Sequence, residues 1–145
     1  MCNCNSIWVQ NANNFLHQNN SQDAMYLVVK YLINNNVCGR ENGIYLNNIL
    51  KYVNNNGYKF NRETFQHNVL IPLKQNRILV SLPYPGRIGG IFIPCNIEEI
   101  NKAYRQILKR VESELNNIKP IVLSANIAKN LNDILDLLTS ELKNL

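Results

Sequence analysis

The sequence predicts a mainly α-helical protein with a small β-hairpin and two long helices at its C-terminal end. Apolar residues recur at three- and four-residue steps in five separate stretches, which is the spacing of amphipathic helices. Two short apolar runs flank a loop rich in proline and glycine, which indicates a hairpin. The chain has 145 residues, so it is long enough to bury one core with a helical part attached.

Residues 1–20 are polar and contain no Lys, Arg, Asp or Glu. A segment of this composition is expected to form an arm without regular structure. Trp8 and Phe15 are large enough to pin the arm onto a partner or onto the C-terminal helices.

Two core helices follow, each ending in a run of asparagines. Ser21 is placed to cap the first helix, whose apolar spacing continues to residues 34–36. Residues 43–45 can form one short strand. The second helix begins at Leu46 and ends at residues 54–56, where Gly57 suits the position after a helix terminus. Asparagine makes up about a fifth of the chain, well above average usage, and its runs mark helix ends.

The third helix is predicted to begin at Asn61, whose side chain can accept from the backbone N–H groups of the first turn. Phe65, Val69 and Leu73 recur every four residues and mark one buried face, which leaves a polar face free. Leu70 and Ile71 are expected to lie off this buried stripe. Pro72 lacks a backbone donor, so the helix is expected to kink or restart there.

A hairpin is predicted after this helix. Its strands are residues 78–82 and 90–93, and the sequence PYPGRIGG over residues 83–90 turns the chain without strain. Arg87 stands at the tip.

The last two helices carry long apolar stripes. Asn96 and Glu99 form a capping-box pattern at the start of the first, and Pro120 suits the first turn of the second. The first stripe consists of Ile97, Ile100, Tyr104, Ile107, Val111, Leu115 and Ile118. The second consists of Leu123, Ile127, Leu131, Ile134, Leu138, Leu142 and Leu145. Stripes of this length exceed what one small domain needs, so they predict a homodimer.

The net charge of +5 is concentrated in the middle of the chain. Residues 21–94 carry eight basic and three acidic residues, whereas residues 95–145 carry seven of each sign. A basic domain attached to a neutral helical one is the arrangement expected when the first meets phosphates and the second meets protein.

Several classes of protein have no support in the sequence. No apolar run approaches the roughly 20 residues needed to cross a bilayer, and a cytoplasmic protein without a membrane segment is expected. No carboxylate pair, catalytic triad, phosphate-binding glycine pattern or metal-ligand spacing is visible. We therefore expect no enzyme activity, no catalytic residue, no metal and no cofactor.

The four cysteines contain no C-x-x-C pair and have no histidine at zinc-finger distance. This spacing predicts free thiols. The alternative is a metal or redox site that joins Cys2 and Cys4 to Cys38 or Cys95.

The order helix, short strand, helix, helix, hairpin over residues 21–94 resembles the winged helix-turn-helix family of DNA-binding domains. The resemblance implies that the helix from Asn61 is the recognition helix and that residues 83–90 are the wing. It also implies that residues 95–145 are a dimerising extension. The phrase GGIFIP, followed by a charged helix, is similar to small phage and mobile-element members, whereas the wing pattern of MarR-type regulators is absent.

This interpretation predicts a protein that binds double-stranded DNA, as a dimeric transcriptional regulator or a phage- or plasmid-type accessory factor. Arg62, Gln66 and His67 are expected to select the sequence from the major groove. The full set of candidate DNA contacts is Lys59, Arg62, Thr64, Gln66, His67, Lys74 and Arg87. The alternative is a winged helix that binds another protein and no DNA, because a fold does not fix its function.

Overall fold

The computed structural model describes residues 4–19, 23–82, 90–121 and 125–144, without the side chains of 121 and 125–128. The chain divides into two compact units, Met1–Ile100 and Asn101–Leu145. The predicted fold is confirmed, because the protein is mainly helical with one antiparallel strand pair and two long C-terminal helices. The finer division at residues 20 and 94 stays a prediction.

Four of the five helices described in the first unit begin and end close to the predicted positions, and the first of them was not predicted. They are α1 (Ile7–Gln18), α2 (Ala24–Asn34), α3 (Leu46–Asn55), α4 (Arg62–Phe65) and α5 (Ile71–Gln75). A π-helical turn, Gln66–Leu70, joins α4 to α5, so residues 62–75 form one continuous helical run, called the 62–75 helix. The two long helices that follow are α6 (Ile97–Ile118) and α7 (Ala125–Asn144).

The strands β1 (Val80–Leu82) and β2 (Gly90–Phe92) pair antiparallel, with Ser81 opposite Ile91. Ile44 forms an antiparallel bridge to Ile91, which places the predicted short strand beside β2. On the chain just beyond β2, Ile93 bridges Cys38. β2 therefore lies at the centre of the small sheet, and all three of its residues are buried.

The core of the first unit lies between the helices and this sheet. The predicted face of the 62–75 helix is confirmed, because Phe65, Val69 and Leu73 are all buried. The largest fully buried side chains are Phe65, Phe92, Leu32, Ile49, Leu70, Leu73, Ile78, Leu79, Ile91, Ile93, Val28 and Val29. Because close packing penalises any misplacement, this core fixes which face of the 62–75 helix points outward.

One prediction about the 62–75 helix is wrong, since Leu70 is completely buried. The reason is the π-helical turn, in which the backbone N–H of Ile71 donates to the carbonyl of Gln66, five residues earlier. The wider turn inserts one residue into the helical repeat and rotates Leu70 onto the face that Phe65 occupies. Pro72 lies in the first turn of α5, and Ile71 before it has helical φ of −61° and ψ of −49°. The backbone therefore does not leave the helical conformation before the proline as expected, and a kink at this position stays a prediction.

The N-terminal arm also differs from expectation. Residues 7–18 form α1, which Ser6 caps by accepting from the backbone N–H of Val9 at 3.1 Å. Val9 and Ala12 are buried. The polar composition of this segment suggested a disordered arm, but the face with Val9 and Ala12 packs into the first unit, while Ile7 stays exposed. The predicted cap Ser21 lies outside the described residues, and Asp23 caps α2 by accepting from Tyr26 N–H at 2.7 Å.

Asparagines end the helices by a shared mechanism. At four helix ends the side-chain amide of an asparagine donates to the carbonyl four residues earlier, which satisfies an acceptor that the helix leaves open. The pairs are Asn19 with Phe15, Asn35 with Tyr31, Asn56 with Tyr52, and Asn76 with Pro72. Gly57 follows Asn56 with φ of +102°, in agreement with its predicted place after the helix end.

Asn54 has a separate role, because its side chain holds the turn between α3 and the 62–75 helix. Its Nδ2 donates to the carbonyl of Phe60 at 2.9 Å, and its Oδ1 accepts from the backbone N–H of Phe60 at 2.9 Å. This pair of bonds fixes the path of the chain immediately before Asn61.

We expect Asn54→Ala to lower the free energy of unfolding by about 1–3 kcal/mol, because two partly buried backbone groups lose their partner. Urea titration followed by circular dichroism measures the change. Asn55→Ala is the matched control, since Asn55 is exposed at the next position. Equal stability of the two variants would contradict a structural role for Asn54.

The prediction of free thiols is wrong for the described cysteines. Cys4 and Cys95 form a disulfide across 91 residues of sequence, and Cys38 is also disulfide-bonded. Spacing along the chain could not show this, because the N-terminal segment passes the start of α6 only in the folded state. Cys2 lies outside the described residues.

The second unit contains most of α6 together with α7. Leu108, Leu131 and Leu135 are buried, and Thr139 Oγ1 donates to Glu112 Oε1 at 3.3 Å, which joins the two helices. In the predicted stripe of α6, by contrast, Tyr104, Ile107 and Ile118 are exposed. In the second stripe, the side chains of Leu123, Ile127 and Leu145 lie outside the described residues. Within the described part of the chain, no helix is long and apolar enough to span a membrane.

Candidate nucleic-acid interface

The candidate site begins at the cap of the 62–75 helix. Asn61 Oδ1 accepts from the backbone N–H of Thr64 at 2.8 Å, as the sequence predicts. In return, Thr64 Oγ1 accepts from the backbone N–H of Asn61 at 3.1 Å, which completes a capping box. This exchange fixes the direction in which the first turn leaves the preceding loop.

Thr64 therefore has a structural role in addition to its predicted place among the DNA contacts. Its hydroxyl also contacts Asn61 Oδ1 at 2.9 Å, so its hydrogen-bonding capacity is directed into the cap. The side chain is exposed, and a DNA contact from Thr64 stays a prediction.

The structure places three predicted side chains together on the outer face of the helix. Arg62, Gln66 and His67 are exposed and line a shallow surface depression of about 340 Å³, together with Glu63 and Ile71. A guanidinium, an amide and an imidazole thus lie on one surface whose opposite side is anchored by Phe65, which is fully buried. Such a set can donate and accept hydrogen bonds in the plane of a base edge.

Glu63 and Ile71 were not among the candidate residues. Glu63 precedes His67 by four positions, and helix spacing alone is enough to place the two side chains on the same face. The same spacing places Ile71 beside His67, whereas its place beside Gln66, five residues earlier, depends on the π-helical turn. Glu63 brings a negative charge beside Arg62, so the depression combines donors with one strong acceptor.

Two basic residues lie at the ends of the helix. Lys59 is exposed in the turn before Asn61, between Tyr58 and Phe60, whose rings stack with centroids 5.5 Å apart. Lys74 is half-buried in the last turn and already has an interaction partner. Lys59 is therefore open to solvent between two stacked rings, whereas Lys74 is partly held against the protein.

The predicted wing cannot be placed in the same way. Residues 83–89, with Arg87, lie outside the described residues, while Leu82 and Gly90 face each other at the last register position. The strand ends that would carry the wing are therefore described, and a contact from Arg87 stays a prediction.

His67 would need further ligands close by in order to hold a metal ion. Among the residues that the structure describes, no three His, Cys, Asp or Glu side chains are arranged to hold one. A hydrogen bond from His67 to a base stays a prediction.

Comparison with known proteins finds a relative over almost the whole chain. It is the Methanocaldococcus jannaschii protein named "Putative control protein C.MjaVP". The two are 47% identical over 149 aligned residues, which cover 99% of this chain and 91% of the relative. No protein-family model matches the chain. No solved structure matches it.

Proposed function

Because the chain belongs to the same family as the Methanocaldococcus jannaschii protein named "Putative control protein C.MjaVP", we propose that it is a DNA-binding regulator of transcription. A control function suits a regulator and not an enzyme. The outer face of the 62–75 helix is the single observation that carries the proposal at residue level, because it combines exposed Arg62, Gln66 and His67 with a fully buried opposite face.

In this proposal the first unit is a winged helix-turn-helix domain. α3 and the 62–75 helix form the helix-turn-helix, joined by the turn that Asn54 holds, and β1 and β2 support the wing. The 62–75 helix enters the major groove with its capped end first, since recognition helices contact bases from their N-terminal residues. The π-helical turn then limits base contacts to the first half of the helix.

The polar side chains divide into two roles. Gln66 is suited to the N6 and N7 groups of adenine, and Arg62 to the O6 and N7 groups of guanine, while His67 accepts or donates at the same edge. Lys59, Lys74 and Arg87 hold phosphates and carry no sequence information. Glu63 is suited to the amino group of cytosine.

The second unit supports a homodimer in this proposal. Tyr104, Ile107 and Ile118 lie on one face of α6 and are exposed in the single chain. A second copy of the same helix would remove this apolar surface from water. Residues 95–145 carry no net charge, so charge repulsion between two copies does not oppose their association. Two copies would present two recognition helices to a DNA site with two-fold symmetry.

We expect Gln66→Ala to lower affinity for the preferred DNA site by about 1–3 kcal/mol and to leave affinity for random duplex nearly unchanged. The preferred site is first selected from a random pool, and binding is then measured by fluorescence anisotropy. Gln75→Ala is the matched control, because Gln75 is exposed near the opposite end of the same helical run.

The result separates two functions. An equal loss of affinity for the preferred site and for random duplex would indicate that Gln66 contacts phosphate. That result would contradict its proposed role in base recognition. Absence of salt-dependent binding to any duplex would contradict DNA binding altogether, because phosphate contacts make affinity fall with salt. That outcome would favour the alternative of a protein-interaction module.

A further inference from the structure

The two cysteines of the Cys4–Cys95 disulfide are more exposed to solvent than Cys38. Cys4 and Cys95 are both half-buried at the surface of the first unit, whereas the side chain of Cys38 is only 6% exposed. Thiol–disulfide exchange requires that an attacking thiolate reach a sulfur atom, so exposure decides which bond reacts. The Cys4–Cys95 bond is therefore the one that an external dithiol meets first.

This disulfide joins the start of the chain to the residue just before α6. Close to both cysteines the connection is reinforced, because the hydroxyl of Ser6 donates to the carbonyl of Pro94. On the side of Cys95, Glu99 accepts from the backbone N–H groups of Cys95 at 2.8 Å and Arg40 at 2.9 Å. Cys95 is thus fixed to the body of the first unit, while Cys4 belongs to the segment that leads into α1.

We propose that the Cys4–Cys95 disulfide is a site of thiol–disulfide exchange for a dithiol reductant, and that opening it releases α1 from the first unit. A thiolate of the dithiol attacks one sulfur to give a mixed disulfide, and the second thiol of the reductant then displaces the protein sulfur. Two electrons and two protons pass to the protein, Cys4 and Cys95 become thiols, and the reductant becomes a disulfide.

The length and contacts of α1 make it sensitive to this bond. It has 12 residues, and a helix of that length is marginal in water without tertiary support. The fully buried side chains of α1 are two small ones, Val9 and Ala12, while Trp8, Phe15 and Leu16 are half-buried. An exposed hydrogen bond from Asn11 Nδ2 to the carbonyl of Arg77, at 3.1 Å, adds one more contact. The Cys4–Cys95 bond, two residues before the cap of α1, therefore adds a covalent attachment to a helix whose larger apolar side chains are only partly buried.

The position of α1 gives its release a consequence for the 62–75 helix. Arg77 follows that helix by two residues and has φ of +55°, in the left-handed region that non-glycine residues seldom adopt. The bond from Asn11 supports this turn from outside. Release of α1 removes that support at the end of the 62–75 helix opposite its cap. This role of the disulfide does not require that the protein bind DNA.

The first test measures which cysteines a dithiol opens in the native protein. The oxidised protein is treated with dithiothreitol without denaturant, the thiols are alkylated, and the labelled peptides are identified by mass spectrometry. We expect Cys4 and Cys95 to be alkylated at least ten times faster than Cys38. Equal rates for all three, or labelling of Cys4 and Cys95 only after denaturation, would overturn the proposal.

The second test measures what the bond holds in place. Amide hydrogen exchange is compared between the oxidised protein and a Cys4→Ser, Cys95→Ser variant. We expect exchange in residues 7–18 to rise at least tenfold in the variant, while α2 and α3 keep their protection. Asn13→Ser is the control, because it changes an exposed side chain of α1 and keeps the disulfide. Unchanged exchange in α1 of the double variant would overturn the proposal, as would an equal rise throughout the first unit.

Discussion

An Ile107→Asp, Ile118→Asp variant is expected to be a monomer under conditions in which the unaltered protein is a dimer. Both side chains are 44% exposed in the single chain and lie on the face of α6 that we propose as the dimer interface. Two carboxylates on that face in each copy bring four negative charges into an apolar contact, and charges buried without partners are strongly unfavourable. Sedimentation velocity measures the change as a halving of the mass.

The control for this experiment places the same charges on the other side of the same helix. Ser113 and Asn116 are exposed and lie on the opposite face of α6, so Ser113→Asp, Asn116→Asp is expected to leave the dimer intact. A wild-type protein that sediments as a monomer at all concentrations would contradict the dimer directly. A dimer that persists in the Ile107 and Ile118 variant would place the interface elsewhere.

A Phe65→Ala variant is expected to lose about 3–5 kcal/mol of unfolding free energy, because removal of a buried aromatic ring leaves a cavity. Phe65 is completely buried, and its ring centroid lies 5.9 Å from that of Phe60. The same side chain anchors the face of the helix opposite Glu63 and His67. A loss of this size is a large fraction of the roughly 5–15 kcal/mol that stabilises a native protein, so the urea midpoint should fall clearly.

Urea titration of the oxidised protein measures this loss, and Asn68→Ala serves as the control because Asn68 is exposed on the same helical run. A cost below about 1 kcal/mol for Phe65→Ala would show that the site collapses around the missing ring. In that case the 62–75 helix would not be anchored as the buried face indicates.

Much of the fold follows from local chemistry that is visible in the sequence. The buried face defined by Phe65, Val69 and Leu73 is predictable because helix spacing is fixed by the backbone. The caps at Asn61 and Asn96 are predictable for a similar reason, since the accepting oxygen and the donating N–H are three residues apart.

The features that were missed depend on contacts between distant parts of the chain. Leu70 is buried because a π-helical turn shifts the repeat, and the sequence shows only the proline that follows it. Glu99 was predicted to bond within its own cap. Instead it reaches Cys95 and Arg40, because the folded chain brings residue 40 beside α6. The Cys4–Cys95 disulfide is hidden for the same reason.

The candidate site could be predicted in part. Arg62, Gln66 and His67 were identifiable because a polar face on an otherwise buried helix is readable from spacing. Two further features were not identifiable from the sequence, because both depend on side-chain geometry. They are the hydrogen bonds of Thr64 within the cap and the interaction of Lys74 with its partner.

The asparagine caps have a consequence for the chemical lifetime of the protein. Asn56 and Asn42 each donate from Nδ2 to a carbonyl, and each is followed directly by a glycine. Asparagine is a thermolabile residue, and loss of its amide leaves aspartate. At Asn56 the donor to the Tyr52 carbonyl would then become a carboxylate at the negative end of the α3 dipole, which repels it. Ageing at this single position would therefore weaken the end of α3 that leads into the turn before the 62–75 helix.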